Sequence, residues 1–209
     1  MELLESCRVL KKEGNIKMKV LFVNACVRGE DSRTDQLCRD YISKLPADAL
    51  VTEINLDEAA IKPLDKQMLQ KRDGLLANKD FSDTMFDYAK QIMEADHVII
   101  GAPYWDLSFP ALLKIYLEQC SVTGLTYIYN EKGIPEGQCK AKSLSYITTS
   151  GGPIGDFNFG YDYIRGLCML FGIPKTCFIS AEALDVWGND VDAIMAAAKE
   201  KITEIIKEI

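Results

Sequence analysis

Apolar positions along the chain fall into two alternating rhythms. Lys19-Val-Leu-Phe-Val-Asn24 and His97-Val-Ile-Ile-Gly-Ala102 are short, nearly continuous apolar runs with polar ends, the pattern of strands buried on both faces. Leu50–Leu56, Leu144–Thr149 and Thr176–Ser180 read as three further strands. Between them the period changes to that of a helix. Leu37, Cys38, Tyr41, Ile42 and Leu45 repeat before Pro46, with Ser32 or Thr34 as the expected N-cap. Phe109, Leu112, Leu113, Tyr116, Leu117 and Cys120 follow the i, i+3, i+4, i+7 pattern, with Ser108 expected as N-cap and Pro110 in the first turn. Pro63–Ala95 predicts one or two helices. Tyr161–Phe171 predicts another, closed by Gly172 and Pro174, and Val191–Ile209 a last one. Residues 124–142 break the rhythm with a short β excursion and turn glycines.

Five strands alternating with helices predict βαβ units. The expected fold is α/β, a doubly wound five-stranded parallel sheet of order 2-1-3-4-5 with helices on both faces. Residues 18–209 then form a single domain, and 1–17 an N-terminal arm of unknown role. In such a sheet ligands bind beyond the carboxyl ends of the strands. The search therefore narrows to the loops 25–34, 103–108 and 149–157.

Composition narrows the function classes. The chain of 209 residues is 48% apolar, with 24 Lys+Arg against 31 Asp+Glu and a net charge of −7. No apolar run approaches the ~18–20 residues of a membrane span, and the first residues do not form a secretory signal. The acidic balance argues against a nucleic-acid partner. Seven cysteines without a CxxC pair fit reduced thiols, with neither a disulfide framework nor a metal site, and hence a cytoplasmic protein.

The first loop, Ala25-Cys-Val-Arg-Gly-Glu-Asp-Ser-Arg-Thr34, leads into a helix N-terminus, where free N–H groups favour phosphate. It is neither a GxGxxG dinucleotide turn nor a Walker loop. Its alternative is an ordinary capped helix start. The second, Ala102-Pro-Tyr-Trp-Asp-Leu-Ser-Phe-Pro110, sets two aromatics at a strand end, against a flat ligand, or at a subunit contact or core rim. The third, Thr149-Ser-Gly-Gly-Pro153, lets a planar ligand approach its backbone, or is simply a turn. His97 opens a buried strand and is expected to be structural.

The order of these loops, with Phe109-Pro-Ala-Leu-Leu-Lys114 and Thr123-Gly-Leu-Thr-Tyr-Ile-Tyr129, resembles the flavodoxin-like NAD(P)H:quinone oxidoreductases and, within them, the FMN-dependent NADH-azoreductases. The resemblance runs from about Lys19 to the C-terminus. It implies FMN as cofactor, NADH or NADPH as electron donor, and two-electron ping-pong reduction of a small-molecule acceptor such as a quinone or azo compound. It also implies a homodimer. Cys26, Ser32, Arg33 and Thr34 correspond to the phosphate loop. Pro103, Tyr104, Trp105, Asp106 and Leu107 correspond to the segment contacting the isoalloxazine, and Thr149, Ser150, Gly151 and Gly152 to the segment at its pyrimidine edge. The N–H groups of 104–107 and 151–152 are the expected stabilisers of negative charge on the ring, and no catalytic side chain or metal is needed. Cys26 departs from a usual Ser, Trp105 from a frequent Tyr, Asp106 from a usual Asn and Leu107 from a frequent Phe. Glu30 and Asp31 add negative charge to the phosphate loop. A carboxylate at Asp106 facing the ring would lower the flavin potential.

Two other classes compete. A non-catalytic flavodoxin-like electron carrier or flavin-binding regulator needs no cavity for a hydride donor, whereas 57–95 and 124–142 suggest walls around a flavin. A low-molecular-weight phosphatase needs Cys-x5-Arg-[Ser/Thr]. Here Cys26 and Arg33 are separated by one residue too many.

Overall fold

The computed structural model describes residues 7–11 and 18–209. Five parallel strands form the centre: β2 (Met18–Asn24), β3 (Ala49–Asn55), β4 (His97–Gly101), β7 (Ser143–Thr149) and β8 (Lys175–Ala181). They lie in the spatial order β3-β2-β4-β7-β8. Among the described residues the sheet has six strands, one more than expected. β1 (Cys7–Lys11) pairs antiparallel with the outer edge of β3, Cys7 opposite Ile54 and Val9 opposite Thr52. The expected N-terminal arm therefore supplies an edge strand, while 1–6 and 12–17 lie outside the described residues. No hydrophobic period marks this strand, because an edge position leaves Val9 60% exposed.

Alternate residues of each strand face opposite layers, as the pleat requires. Leu21 and Val23 join Val98, Ile100, Leu144 and Tyr146 beneath α3 (Asp87–Glu94), α4 (Ala111–Cys120) and α5 (Phe159–Phe171). Val20 and Phe22 join Ile99, Ile147 and Ile179 beneath α1 (Arg33–Lys44) and α6 (Val191–Ile206). Both faces are thus covered, which explains why the strands read as continuous apolar runs. The 63–95 segment holds α2 (Lys66–Ala77) and α3, joined through a short 3-10 turn at Thr84–Phe86.

The excursion between α4 and β7 is a two-stranded hairpin, β5 (Tyr127–Tyr129) and β6 (Pro135–Gly137). It docks against the end of α5, where a Cβ on Gly137 would lie 2.0 Å from the Gly172 nitrogen. Gly172 itself caps α5 in the left-handed region at φ 79°, a role glycine fills without a steric cost.

His97 is fully buried and takes the structural role expected. Its Nε2 lies 3.0 Å from the Tyr41 hydroxyl and its Nδ1 2.8 Å from Ser143 Oγ, and Tyr41 also meets Ser145 Oγ at 2.9 Å. Burial lowers its pKa to about 4, against a smaller opposing effect of the Ser143 hydrogen bond. Between about pH 6.5 and 4 the unfolded chain takes up a proton here that the folded chain refuses. Stability therefore falls on acidification, by at most about 1.4 kcal/mol per pH unit from this group. We expect His97→Gln to be less stable at pH 7.5 yet to lose less on going to pH 5.5, measured by urea denaturation at both values. Equal losses in the two proteins would remove His97 as the cause.

Candidate functional site

The site begins with Asn24, the last residue of β2. Its side-chain amide donates to Glu53 Oε1 at 2.8 Å and to Asp35 Oδ1 at 3.2 Å, while its Oδ1 accepts from the Cys26 N–H at 2.9 Å. Arg39 holds both oxygens of the buried Glu53 at 2.7 and 2.9 Å and reaches Asp35 at 3.1 Å. Side chains from β2, β3 and α1 are thereby tied together beneath the first loop. After the short turn at Gly29–Asp31, Ser32 caps α1 by accepting from the Asp35 N–H at 3.2 Å, one of the two caps expected. The first-turn N–H groups of Arg33 and Thr34 have no intrahelical acceptor and point out of the helix end.

The second loop is a tight turn rather than a helix start. Trp105 N–H donates to the Ser108 carbonyl at 3.1 Å and Ser108 N–H to the Trp105 carbonyl at 2.8 Å. Asp106 and Leu107 both have positive φ, 48° and 64°, as a two-residue reverse turn of this hand demands. Ser108 is therefore not the N-cap of α4. Pro110 takes that position with no side-chain cap, because Ser108 is already committed to the turn. Tyr104 N–H is also engaged, by the Thr149 carbonyl at 3.0 Å. The N–H groups of Tyr104 and Trp105 are thus spent on the loop itself and are not free for a ligand, contrary to expectation.

The third loop is pinned from an unexpected side. The N–H groups of Ala183, Leu184 and Asp185 donate to the carbonyls of Gly152, Ser150 and Gly151 at 3.2, 3.1 and 2.9 Å. Asp185 then reaches across to Arg33, Nη1 to Oδ1 2.8 Å. A Cβ on Gly151 would stand 2.5 Å from the Asp185 carboxylate, so a side chain there would push Asp185 out of its present position. The first and third loops also meet directly, Thr34 Oγ1 to Thr149 Oγ1 2.6 Å.

These contacts enclose a cleft of about 230 Å³ at the carboxyl ends of β2, β4 and β7. Of the expected residues it brings together Ser32, Arg33, Thr34, Pro103, Tyr104, Trp105, Thr149, Ser150 and Gly151. Cys26, Asp106, Leu107 and Gly152 are outside its lining. Cys26 is buried, its thiol 3.6 Å from the Gly101 carbonyl. Asp106 and Leu107 occupy the tip of the turn, and Gly152 lies beyond the cleft edge. Val27, Arg28, Asp31, Leu184 and Asp185 complete the wall. The sequence reading missed Leu184 and Asp185. Their signal is positional, since they follow the fifth strand at the same carboxyl edge as the other loops.

A cleft across the switch between β2 and β4, with a helix N-terminus at one end and aromatics at the other, is the layout of a doubly wound α/β protein and suits a flat, phosphate-bearing ligand. The chain belongs to the flavodoxin-like fold family, whose model matches residues 18–206. An FMN-dependent NADH:quinone oxidoreductase 2 of Clostridium acetobutylicum is 35% identical over 203 residues, 91% of this chain and 98% of that one. An FMN-dependent NADH:quinone oxidoreductase of Coprothermobacter proteolyticus is 31% identical over 204 residues, with the same shares covered. In structure, an azoreductase from Bacillus anthracis superposes with a TM-score of 0.80 at 23% identity, over 92% of this chain and all of that one.

The Asn24 network carries a prediction. Asn24→Ala leaves the buried Cys26 N–H without its acceptor and takes one of two donors from Glu53 Oε1, and is expected to cost about 2 kcal/mol. Asn24→Asp brings a third carboxylate against Glu53 and Asp35 and is expected to cost more. Urea unfolding at pH 7 orders the two, and Asn24→Asp as the milder change would contradict this account of the network.

Proposed function

We propose that the chain is an FMN-dependent NADH:quinone oxidoreductase, which reduces small-molecule acceptors by two electrons in alternation with NADH oxidation. The observation that carries this is the convergence of three separate loops on one cleft at the carboxyl edge of the sheet. The names of the relatives point to the same chemistry. The donor set fits FMN. A phosphate would be met by the first-turn N–H groups of α1, by the hydroxyls of Ser32 and Thr34, and by Arg28 and Arg33. These offset the Asp31 and Asp185 carboxylates in the same wall.

When bound, FMN supplies the hydride chemistry, and the protein binds and orients it. Pro103, Tyr104 and Trp105 offer the flat wall, held rigid by the Trp105–Ser108 turn. Gly151 offers its N–H at the opposite edge, held by the 183–185 segment, while the Ser150 backbone is engaged by Ala181 and Leu184. The N–H group of Gly151, which lines the cleft, then stands in for the 104–105 donors as a stabiliser of negative charge on the ring. Cys26 has no part in this reading, and its buried thiol is unsuited to the nucleophilic role of a phosphatase.

The chain works as a homodimer in this proposal. Trp105, Leu107, Phe157 and Phe159 are large exposed apolar side chains. They lie on segments joined by the bond from the Tyr104 hydroxyl to the Phe157 carbonyl, 3.0 Å. Such a patch beside a cleft suits a subunit contact. Seven free thiols suit a reducing compartment, and we assign the protein to the cytoplasm. No helix among the described residues is long and apolar enough to cross a membrane.

The purified protein is expected to be yellow, to release FMN on denaturation and to consume NADH with a simple benzoquinone. A protein that holds FMN without NADH turnover is instead an electron carrier, and one that cannot be loaded with FMN refutes the proposal. Arg33→Met is expected to weaken FMN binding by roughly tenfold, as loss of a charge-assisted contact does. Cys26→Ser is expected to leave turnover within about twofold, whereas abolished activity would restore the thiol as nucleophile. Sedimentation of the wild type and of Phe159→Asp tests the dimer, which the charge is expected to dissociate.

A further inference from the structure

A second cavity of about 220 Å³ lies between the 59–64 loop, α2, α3 and the end of α4, and shares no lining residue with the first. Its floor is apolar, built by Ile61, Leu64, Met68, Met85, Tyr88 and Val122. Its charged lining is cationic in a chain of net charge −7, with Lys62, Lys71 and Arg72 against the single carboxylate Asp83. Lys71 and Asp83 neutralise one another at 2.7 Å. Among the described residues neither Lys62 nor Arg72 has an ion-pair partner. Arg72 Nε is buried with no hydrogen-bond partner, a state that costs free energy unless an acceptor arrives.

Two features of the walls agree with a site that is completed by a ligand. The twelve-residue α2 has no fully buried residue and meets the core through the partly buried Leu75 and Leu76 near its end, a thin apolar contact for a helix of this length. Ala60, in the loop at the cavity edge, is held at φ 45°. Strain of this kind in a non-glycine residue collects at ligand clamps.

We propose that this cavity binds a small anion built on an apolar ring, an aromatic carboxylate. The ring would fill the apolar floor under α2. The carboxylate would accept from Arg72, whose planar fork suits it, with Lys62 nearby. The volume is below that of a drug-sized pocket, so one or two rings is the upper size. The charge of the lining separates this ligand from a neutral molecule of the same shape.

The test uses the full chain with FMN added, its methionine methyl groups labelled with ¹³C and observed by NMR. The probes are 1-naphthoate and its uncharged amide, 1-naphthamide. Met68 and Met85 line the cavity, whereas Met169 and Met195 lie elsewhere and serve as controls. We expect saturable shifts of Met68 and Met85 only, with naphthoate binding roughly tenfold tighter than the amide. Arg72→Met is expected to bring naphthoate to the level of the amide. Arg72→Lys, which keeps the charge and loses the fork, is expected to fall between them. The proposal is overturned if Met68 and Met85 do not move, if acid and amide bind alike, or if the control methionines move instead. The acid–amide comparison needs no substitution, so it stands even if a variant folds poorly. It is also independent of the quinone reading, because no readout is an activity.

Discussion

The buried carboxylate of Glu53 is the constraint around which the site is organised. A carboxylate that deep is tolerated only when its oxygens are met, and here Arg39 takes both while Asn24 shares one. Satisfying that charge ties β3 to α1 and to the end of β2. Asn24 then spends its remaining oxygen on the Cys26 N–H, which sets the direction in which the first loop leaves the sheet. The helix N-terminus that faces the cleft is therefore positioned by a polar network on the far side of its own first turn. The removal of one partner is costly for the same reason that the network is precise.

The opposite wall is built by different means. The second and third loops are held almost wholly by backbone hydrogen bonds, from Tyr104 to Thr149, between Trp105 and Ser108, and from 183–185 to 150–152. Backbone bonds leave the Trp105 side chain free, while Tyr104 spends only its hydroxyl, on the Phe157 carbonyl. The left-handed pair Asp106 and Leu107 is the conformational cost of that presentation. Where the two walls meet, the exposed Arg33–Asp185 pair adds little stability but sets the charge facing an incoming phosphate.

Much of this was legible in the residues. The runs at 19–24 and 97–102 identified buried parallel strands, and the carboxyl-edge rule reduced the search to three loops that do converge. Ser32 was readable as a cap because its local chemistry does not depend on distant contacts. Cys26 was misread as a cleft residue because its thiol turns to the Gly101 carbonyl, a contact made 75 positions along the chain. Ser108 was misread as a cap because its partner, Trp105, uses it to close a turn. Asp185 was missed because nothing local marks it. Its importance comes from lying opposite Arg33, 152 positions earlier in the chain.

The sequence by itself determined the alternation of strands and helices, the parallel sheet and the edge at which a ligand must sit, because periodicity and burial are properties of short segments. The tertiary structure alone decided the antiparallel sixth strand, the closure of the cleft by the 183–185 segment, and the cationic cavity beneath α2. Each of these depends on groups distant in the chain meeting in space, where hydrogen bonds, charge and excluded volume act and the local pattern of the chain is silent.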